Sequence, residues 1–169
     1  MNDRPLQRDY SRRELERRFV LSRLPDAVDP TAFTRLRDLF VADAQLRLRI
    51  VEAPDGRVLV VKLGQKRADP EAPDDARCRR LTTIYMSEAE ARALAALPGR
   101  RSCKRRYHLV ENGLTWAIDV WEEPSARVGL VMAEVECGTL AQLAAVPMPS
   151  WAEREVGDDP RFSAFALAE

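Results

Sequence analysis

The sequence predicts an α+β domain in which long β-strands form a barrel and helices pack on the outside of it. Three observations support this prediction. The chain contains about seven extended runs, which are long for strands of a flat sheet. Two of the connections between them are typical hairpin turns. Within the runs, charged residues recur on one face of each strand, whereas aliphatic residues occupy the other face.

Length and composition indicate one domain and exclude several classes of protein. The chain has 169 residues, of which 46% are hydrophobic, so residues 12–169 are predicted to form a single domain after an N-terminal extension, residues 1–11. The 27 basic and 27 acidic residues cancel, which argues against a nucleic-acid or membrane partner. Cys78, Cys103 and Cys137 lack the spacing of a zinc site or disulfide framework. No signal or membrane segment is evident, so a cytoplasmic location is expected.

Turn signals separate the predicted strands. Asp55-Gly56 lies between residues 43–51 and 57–64, and Asn112-Gly113 lies between residues 101–110 and 114–122. Both dipeptides are typical of β-hairpins. The other predicted strands cover residues 14–19, 77–85 and 127–137, and a proline- and aspartate-rich loop covers residues 68–75.

Helices are predicted in the remaining segments. Asp29 and Pro30 indicate a helix start, with the helix extending to about residue 39. Ser87 and Glu90 form a capping box that opens a second helix, which ends at Pro98-Gly99. Shorter helices are predicted over residues 140–145 and 161–168.

The alternation of charged and apolar residues predicts the functional site. Glu14, Glu16 and Arg18 share one strand face while Leu15 and Phe19 point to the other. Such a pattern is most often a solvated face when it occurs once, but here it recurs along the chain. The same charged face is predicted to carry Arg47, Arg49, Lys62, Arg80, Thr82, Lys104, Arg106, His108, Asp119, Glu134 and Glu136.

An enclosed face of this kind needs a ligand. If helices cover the apolar side, the charged side is the barrel interior, and unpaired charges there cost several kcal/mol each. Arginine and lysine suit phosphate oxygens, and clustered carboxylates suit Mg²⁺ or Mn²⁺. A polyphosphate chain with a divalent metal therefore fits the predicted interior.

The order and spacing of these residues resemble the CYTH family of triphosphate tunnel metalloenzymes. The likeness rests on Glu14-x-Glu16-x-Arg18, Leu46-Arg47-Leu48-Arg49, Lys62, Lys104-x-Arg106, Trp116-x-x-Asp119 and Glu134-x-Glu136, and continues through Pro149-x-Trp151, Arg154–Asp158 and Arg161-Phe162. The resemblance implies an antiparallel eight-stranded β-barrel that binds a triphosphate-bearing small molecule. Two departures stand out: Arg18 replaces the usual lysine, and Arg80-Leu81-Thr82 replaces a frequent Arg-x-Glu.

Residue roles follow as hypotheses from this resemblance. The predicted metal ligands, for Mg²⁺ or Mn²⁺, are Glu14, Glu16, Glu134 and Glu136. The predicted substrate-binding residues are Arg18, Arg47, Arg49, Lys62, Arg80, Lys104 and Arg106. The predicted catalytic residues are Glu14, Glu16, Lys104 and Asp119, with Lys104 stabilising or protonating the leaving oxygen.

Several functions remain open at the level of sequence. Hydrolysis of inorganic triphosphate is favoured because no ring-recognition site is evident. Thiamine triphosphatase and adenylate cyclase activities are alternatives within the same family. A non-catalytic polyphosphate- or nucleotide-binding module is a further alternative, favoured by Thr82 in place of an acidic residue. The sequence also leaves open whether the chain forms a homodimer.

Overall fold

The computed structural model describes residues 10–169. The predicted N-terminal extension, residues 1–11, lies outside the described residues except for Tyr10 and Ser11. The strands are β1 (Arg12–Leu21), β2 (Thr34–Val41), β3 (Leu46–Glu52), β4 (Val58–Ala68), β5 (Cys78–Met86), β6 (Gly99–Glu111), β7 (Leu114–Glu123), β8 (Val131–Glu136) and β9 (Arg154–Glu155). The helices are α1 (Glu88–Ala95) and α2 (Leu140–Ala145), with single 3₁₀ turns at Ser125–Arg127 and Pro160–Phe162.

Eight strands close into an antiparallel barrel, as the resemblance predicted. The strand order is β5-β4-β3-β2-β6-β7-β8-β1, and a pairing of β5 with β1 closes the ring. The two-residue strand β9 extends the same edge of β1 beyond β5. Both predicted hairpins are present, and Gly56, Asn112 and Gly113 take the positive φ values that these turns require.

Apolar side chains pack mainly outside the barrel wall. Helix α1 covers Leu39, Leu48 and Val61, and α2 places Leu143 over Leu15 and Cys78. A larger cluster around Phe19, Tyr107, Trp116 and Trp151 packs under the β1–β2 connection and the segment after α2. The predicted arrangement, with apolar residues outside and charged residues inside, is therefore present in the fold.

Two predicted helices are wrong. Residues 34–41 form β2, which lies between β3 and β6, and Asp29 caps only a single turn by accepting hydrogen bonds from Thr31. Period-two burial of Leu36 and Asp38, together with pairing on both edges, overrides the local helix-start signal. Residues 161–168 also lack the predicted helix: Pro160–Phe162 form only a 3₁₀ turn, and the carbonyl oxygen of Phe162 accepts a hydrogen bond from Arg18.

The described helices are both short, and within residues 10–169 none has the length and apolar character needed to span a membrane.

One end of the barrel interior is apolar. Trp121 and Met132 lie there with Val156 and Leu167 of the C-terminal segment, residues 156–169.

Candidate functional site: a charged cavity inside the barrel

The barrel encloses a cavity of about 450 Å³ with a strongly charged wall. Nine cationic side chains line it: Arg12, Arg18, Arg47, Arg49, Lys62, Lys66, Arg79, Lys104 and Arg106. Four carboxylates line it as well: Glu14, Glu16, Glu134 and Glu136. The wall therefore has an excess of positive charge, although the chain as a whole has a formal net charge of zero.

Three carboxylates converge at one part of this wall. Glu14 and Glu16 come from β1, and Glu136 comes from β8, where it pairs directly with Glu16 in the sheet register. One oxygen from each of the three lies within 4.8 Å of the others. Burial and the nearby charge of Glu14 raise the pKa of Glu136. Such crowding of like charges favours a bound cation, and oxygen donors at this spacing fit a hard divalent ion.

Glu134, the fourth predicted metal ligand, lies apart from this carboxylate cluster. It accepts a hydrogen bond from Arg106 at 2.8 Å. The structure thus brings together three of the four predicted ligands and places Glu134 with the cations.

Lys66 of β4 contacts the carboxylate cluster. Its Nζ lies 2.5 Å from Oε2 of Glu14 and 2.9 Å from Oε1 of Glu16. Although burial acts to lower it, the charges of Glu16 and Glu14 raise the pKa of Lys66, so this side chain is an ammonium ion. The sequence prediction missed Lys66 because the strand was expected to end at Gly64. Lys66 has the same parity as Lys62, so a longer strand would have identified it.

Asp119 holds two cations from behind the cavity wall. Its carboxylate is 1% exposed, receives two hydrogen bonds of 2.7 Å from Arg106 and forms an ion pair with Lys104. Although burial would raise it, Arg106 and Lys104 hold the pKa of Asp119 well below its usual range. Asp119 is not among the lining residues, so the geometry fits a positioning residue better than the predicted catalytic one.

Lys104 is the most deeply buried cation of the wall, at 1% exposure. Its Nζ lies 4.5 Å from the ring centroid of Trp121. Burial lowers the pKa of Lys104 by more than the neighbouring Asp119 raises it. A lysine with a lowered pKa gives up its proton more readily than a solvated one, as a general acid requires.

A second buried ion pair was not predicted. Asp38 of β2 accepts two hydrogen bonds of 2.6 Å from Arg49 of β3, and both side chains are almost completely buried. Although burial would raise it, the charge of Arg49 lowers the pKa of Asp38 to about 2. Asp38 escaped prediction because a helix was expected over its segment; alternation of Leu36, Asp38 and Phe40 with residues of the other face was the available signal.

Three cations of the wall, Arg47, Lys62 and Arg79, lack a carboxylate partner among residues 10–169. Arg79 donates hydrogen bonds to the backbone carbonyl oxygens of Asp75 and Cys78, whereas Arg47 and Lys62 lie on the neighbouring strands β3 and β4. Burial and the neighbouring Arg49 lower the pKa of Arg47. Burial, Arg49 and Arg47 lower the pKa of Lys62. An anion bound between these two side chains would relieve their mutual repulsion.

The predicted face of β5 is wrong by one residue. Arg79 and Leu81 line the cavity, whereas Arg80 points away from it, with its Nε 3.3 Å from Oδ1 of Asp69. The register explains the shift, because Glu14 of β1 pairs with Arg79 and paired residues share a face. Arg80 is therefore not placed to bind substrate in the cavity. The residue two positions after the inward arginine is Leu81, not Thr82.

Arg18 lines the cavity but also fixes the C-terminal segment. Two of its guanidinium nitrogens donate hydrogen bonds of 2.9 Å, one to the carbonyl oxygen of Phe162 and one to that of Gly157. Ser163, Ala164 and Phe165 then form part of the cavity wall. The predicted substrate-binding role of Arg18 thus competes with a structural one.

Lysine is used sparingly in this chain. The sequence contains three lysines beside 24 arginines, and all three lysines, Lys62, Lys66 and Lys104, line the cavity. The outer surface carries its positive charge on arginine. The cavity therefore combines rigid guanidinium groups with the compact, mobile ammonium groups that lysine provides.

Comparison with known proteins identifies the fold. No protein-family model matches the sequence, and no curated protein matches it. Two crystal structures of the protein NE1496, one of which describes it as an inorganic triphosphatase, align with 92% of this chain at 23% identity. The alignments cover 97% and 93% of NE1496, with TM-scores of 0.58 and 0.57. A candidate adenylate cyclase from Bacillus halodurans aligns over 81% of this chain and 92% of its own, at 13% identity and a TM-score of 0.51. The chain therefore has the CYTH-type tunnel fold that its motifs predicted.

Proposed function

We propose that this protein hydrolyses a triphosphate inside the barrel, with inorganic triphosphate as the favoured substrate. The observation that carries the proposal is the division of the cavity wall into two regions. Arg47 and Lys62 form a region of unpaired positive charge, and Glu14, Glu16 and Glu136 form a carboxylate cluster in the same cavity. A polyanion and a divalent cation are the pair of ligands that neutralises both regions.

The donor set fits Mg²⁺ or Mn²⁺ because it consists of carboxylate oxygens on neighbouring strands. Glu14, Glu16 and Glu136 would hold the ion. When bound, such an ion neutralises charge on phosphate oxygens and on the group that leaves.

The cations of the wall would bind and orient the phosphate chain. Arg47, Arg49 and Arg106 present guanidinium groups, and Asp38 and Asp119 fix the last two in place through paired hydrogen bonds. Fixed donors of this kind stabilise developing charge without having to reorganise during the reaction. Lys104, whose pKa is lowered by burial, would donate a proton to the leaving oxygen.

A non-catalytic triphosphate-binding module is the second candidate. It is favoured by Leu81, which is apolar and lies on the inward face of β5 where the resemblance implies a carboxylate. The structural similarity to inorganic triphosphatase NE1496 favours hydrolysis.

Phosphate release separates the two candidates. Inorganic triphosphate, ATP and thiamine triphosphate would each be incubated with the protein in Mg²⁺, Mn²⁺ or EDTA. We expect turnover of inorganic triphosphate with metal, none in EDTA, and a loss of at least a hundredfold in Glu16→Gln. Tight binding of triphosphate without turnover of any of the three substrates would instead establish the binding module.

A further inference from the structure

The carboxylate cluster already has a cation in contact with it, and that cation belongs to the protein. The Nζ of Lys66 lies 2.5 Å from Glu14 Oε2 and 2.9 Å from Glu16 Oε1. These two residues also supply carboxylates to the three-residue group that fits a metal ion. An ammonium ion and a divalent ion would therefore compete for the same carboxylates.

The Lys66 ammonium group and a divalent ion cannot both bind Glu14 and Glu16 at the same time. Mg²⁺ binds oxygen at about 2.1 Å, so an ion on Glu14 and Glu16 would lie within a few ångströms of Nζ in its present position. Two positive charges at that separation repel strongly inside a protein. Lys66 must therefore leave the carboxylates when a divalent ion binds.

The cavity offers Lys66 a route to a second position. The preceding inward residue of β4 is Gly64, which pairs with Arg47, and the one before that is Lys62, which pairs with Arg49. Gly64 has no side chain and lines the same cavity as Lys62 and Lys66, so no side chain of β4 lies between the two lysines on the inward face. A Cβ atom at Gly64 would be in ordinary van der Waals contact with the side chain of Leu81, at 3.7 Å.

We propose that Lys66 holds the carboxylate cluster in the metal-free protein and moves to the bound phosphate when a divalent cation displaces it. This inference rests on the proposed function and adds a residue that couples the two ligands. Lys66 weakens the affinity for metal alone, and its release strengthens the affinity for phosphate. Metal and triphosphate therefore bind cooperatively, each raising the affinity for the other.

Binding of Mn²⁺ to the protein, followed by the electron paramagnetic resonance signal of free Mn²⁺, tests the competition. Lys66→Met removes the competing ammonium, and we expect Mn²⁺ affinity to rise about tenfold, the size of one charge-assisted contact. Lys62→Met is the matched control, since it removes a cavity cation that does not contact the carboxylates, and we expect a change below about threefold. Lys66→Arg keeps a cation at the position and should leave the affinity within about threefold of the original.

Coupling to phosphate is measured by repeating the titration with saturating inorganic triphosphate. In the original protein the triphosphate should raise Mn²⁺ affinity, and in Lys66→Met this increase should shrink about tenfold. Equal effects of Lys66→Met and Lys62→Met on the Mn²⁺ affinity measured without triphosphate would overturn the role of Lys66 and leave the proposed function intact. Absence of Mn²⁺ binding in every variant, with and without triphosphate, would overturn the metal site itself.

A measurement on the unsubstituted protein tests the displacement without depending on whether a variant folds correctly. With ¹⁵N-labelled lysine, the three lysines give three side-chain signals, which Lys62→Met and Lys66→Arg would assign. Addition of Mg²⁺ should shift the Lys66 signal most, because its carboxylate partners are taken by the ion. A Lys66 signal unmoved by saturating Mg²⁺ would contradict the displacement.

Discussion

At the scale of single residues, carboxylates behind the cavity wall determine which cations are free to bind a ligand. Asp38 forms a buried ion pair with Arg49, and Asp119 forms buried ion pairs with Arg106 and Lys104. Arg47 lies one inward position away from Arg49 on β3 and lacks such a partner among the described residues. The wall therefore contains both fixed cations, which set geometry, and unpaired cations, which provide net attraction for an anion.

Asp38→Asn tests whether a buried carboxylate fixes a cation of the wall, here Arg49. The pKa of Asp38 lies near 2 in the folded protein, below its usual value of 3.8, so its ionised form stabilises the fold by about 2 kcal/mol at neutral pH. Because the folded pKa is depressed, this contribution is present above about pH 4 and is lost as the pH falls through 2. We expect Asp38→Asn to lower the free energy of unfolding by about 2 to 3 kcal/mol at pH 7, and by progressively less towards pH 2.

Urea denaturation across this pH range provides the measurement. Glu52→Gln is the matched control, because Glu52 pairs with Arg37 on the same two strands but Arg37 is 51% exposed. A solvent-exposed pair contributes about 0.5 kcal/mol. A loss in Asp38→Asn that matched the control, or that stayed constant with pH, would contradict the buried ion pair.

At the scale of whole strands, alternation predicted the cavity wall well where a strand has one charged face. On β1, β3, β6 and β8 every residue predicted to point inward lies on the wall or directly behind it, except His108, which is exposed. The prediction chose the wrong face of β5 because Arg79 and Arg80 are adjacent, so an arginine points inward whichever face is chosen. Only the register with β1 decides between them, and register depends on contacts distant in sequence.

Asp38 and Lys66 were missed because local sequence signals were misleading on β2 and β4. Asp29-Pro30 is a genuine helix-start signal, but β2 gains more from pairing on both edges than an isolated helix would gain from its cap. Gly64 resembles a strand end, yet it lies inside β4, and the strand continues to Ala68. Propensity thus failed where long-range pairing determines the structure.

The face of β5 yields a matched pair of variants. Arg79 lines the cavity, whereas Arg80 lies on the outside with Asp69 and Glu71. We expect Arg79→Ala to weaken binding of inorganic triphosphate about tenfold, the size of one charge-assisted hydrogen bond. Arg80→Ala should leave binding within about twofold and lower the free energy of unfolding by about 1 kcal/mol.

Isothermal titration calorimetry and urea denaturation of both variants provide the two readouts. The adjacent substitutions remove the same group from the same strand, so general electrostatic effects are nearly equal. Weaker triphosphate binding in Arg80→Ala than in Arg79→Ala would mean that the inward face of β5 is the other one.

At the scale of the whole molecule, charge is segregated rather than abundant. The chain is formally neutral, with equal numbers of basic and acidic residues, yet its cavity wall has nine cations against four carboxylates. Burial of these cations, and at Arg47 and Lys62 also the repulsion from neighbouring cations, raises the free energy of the unliganded protein, as the lowered pKa values of Arg47, Lys62 and Lys104 indicate. Binding of a polyanion would reverse this unfavourable interaction, so the cavity is built to gain from an anionic ligand.

This reversal predicts that triphosphate binding takes up protons. In the free protein, burial together with Arg49, Arg47 and Arg106 lowers the pKa of Lys62 below its usual value of 10.5, while Asp38 opposes the shift. Lys62 is therefore partly neutral at a pH where a solvated lysine is charged. A bound triphosphate favours the ammonium form of Lys62 and raises its pKa again, so in the range below pH 10.5 where Lys62 titrates in the free protein, this side chain takes up protons as the complex forms. Affinity for triphosphate should accordingly fall as the pH rises towards 10.5.

Calorimetric titrations in buffers of different ionisation enthalpy measure this uptake directly. Lys62→Arg is the matched variant, because arginine keeps its charge throughout this pH range and so cannot take up a proton. We expect the uptake to decrease in Lys62→Arg, with the remainder due to Lys104, whose pKa burial also lowers. Uptake that is unchanged in Lys62→Arg would show that the anion does not bind beside Lys62. A smaller proton uptake in Lys62→Arg than in the original protein would place the phosphate chain at Arg47 of β3 and Lys62 of β4.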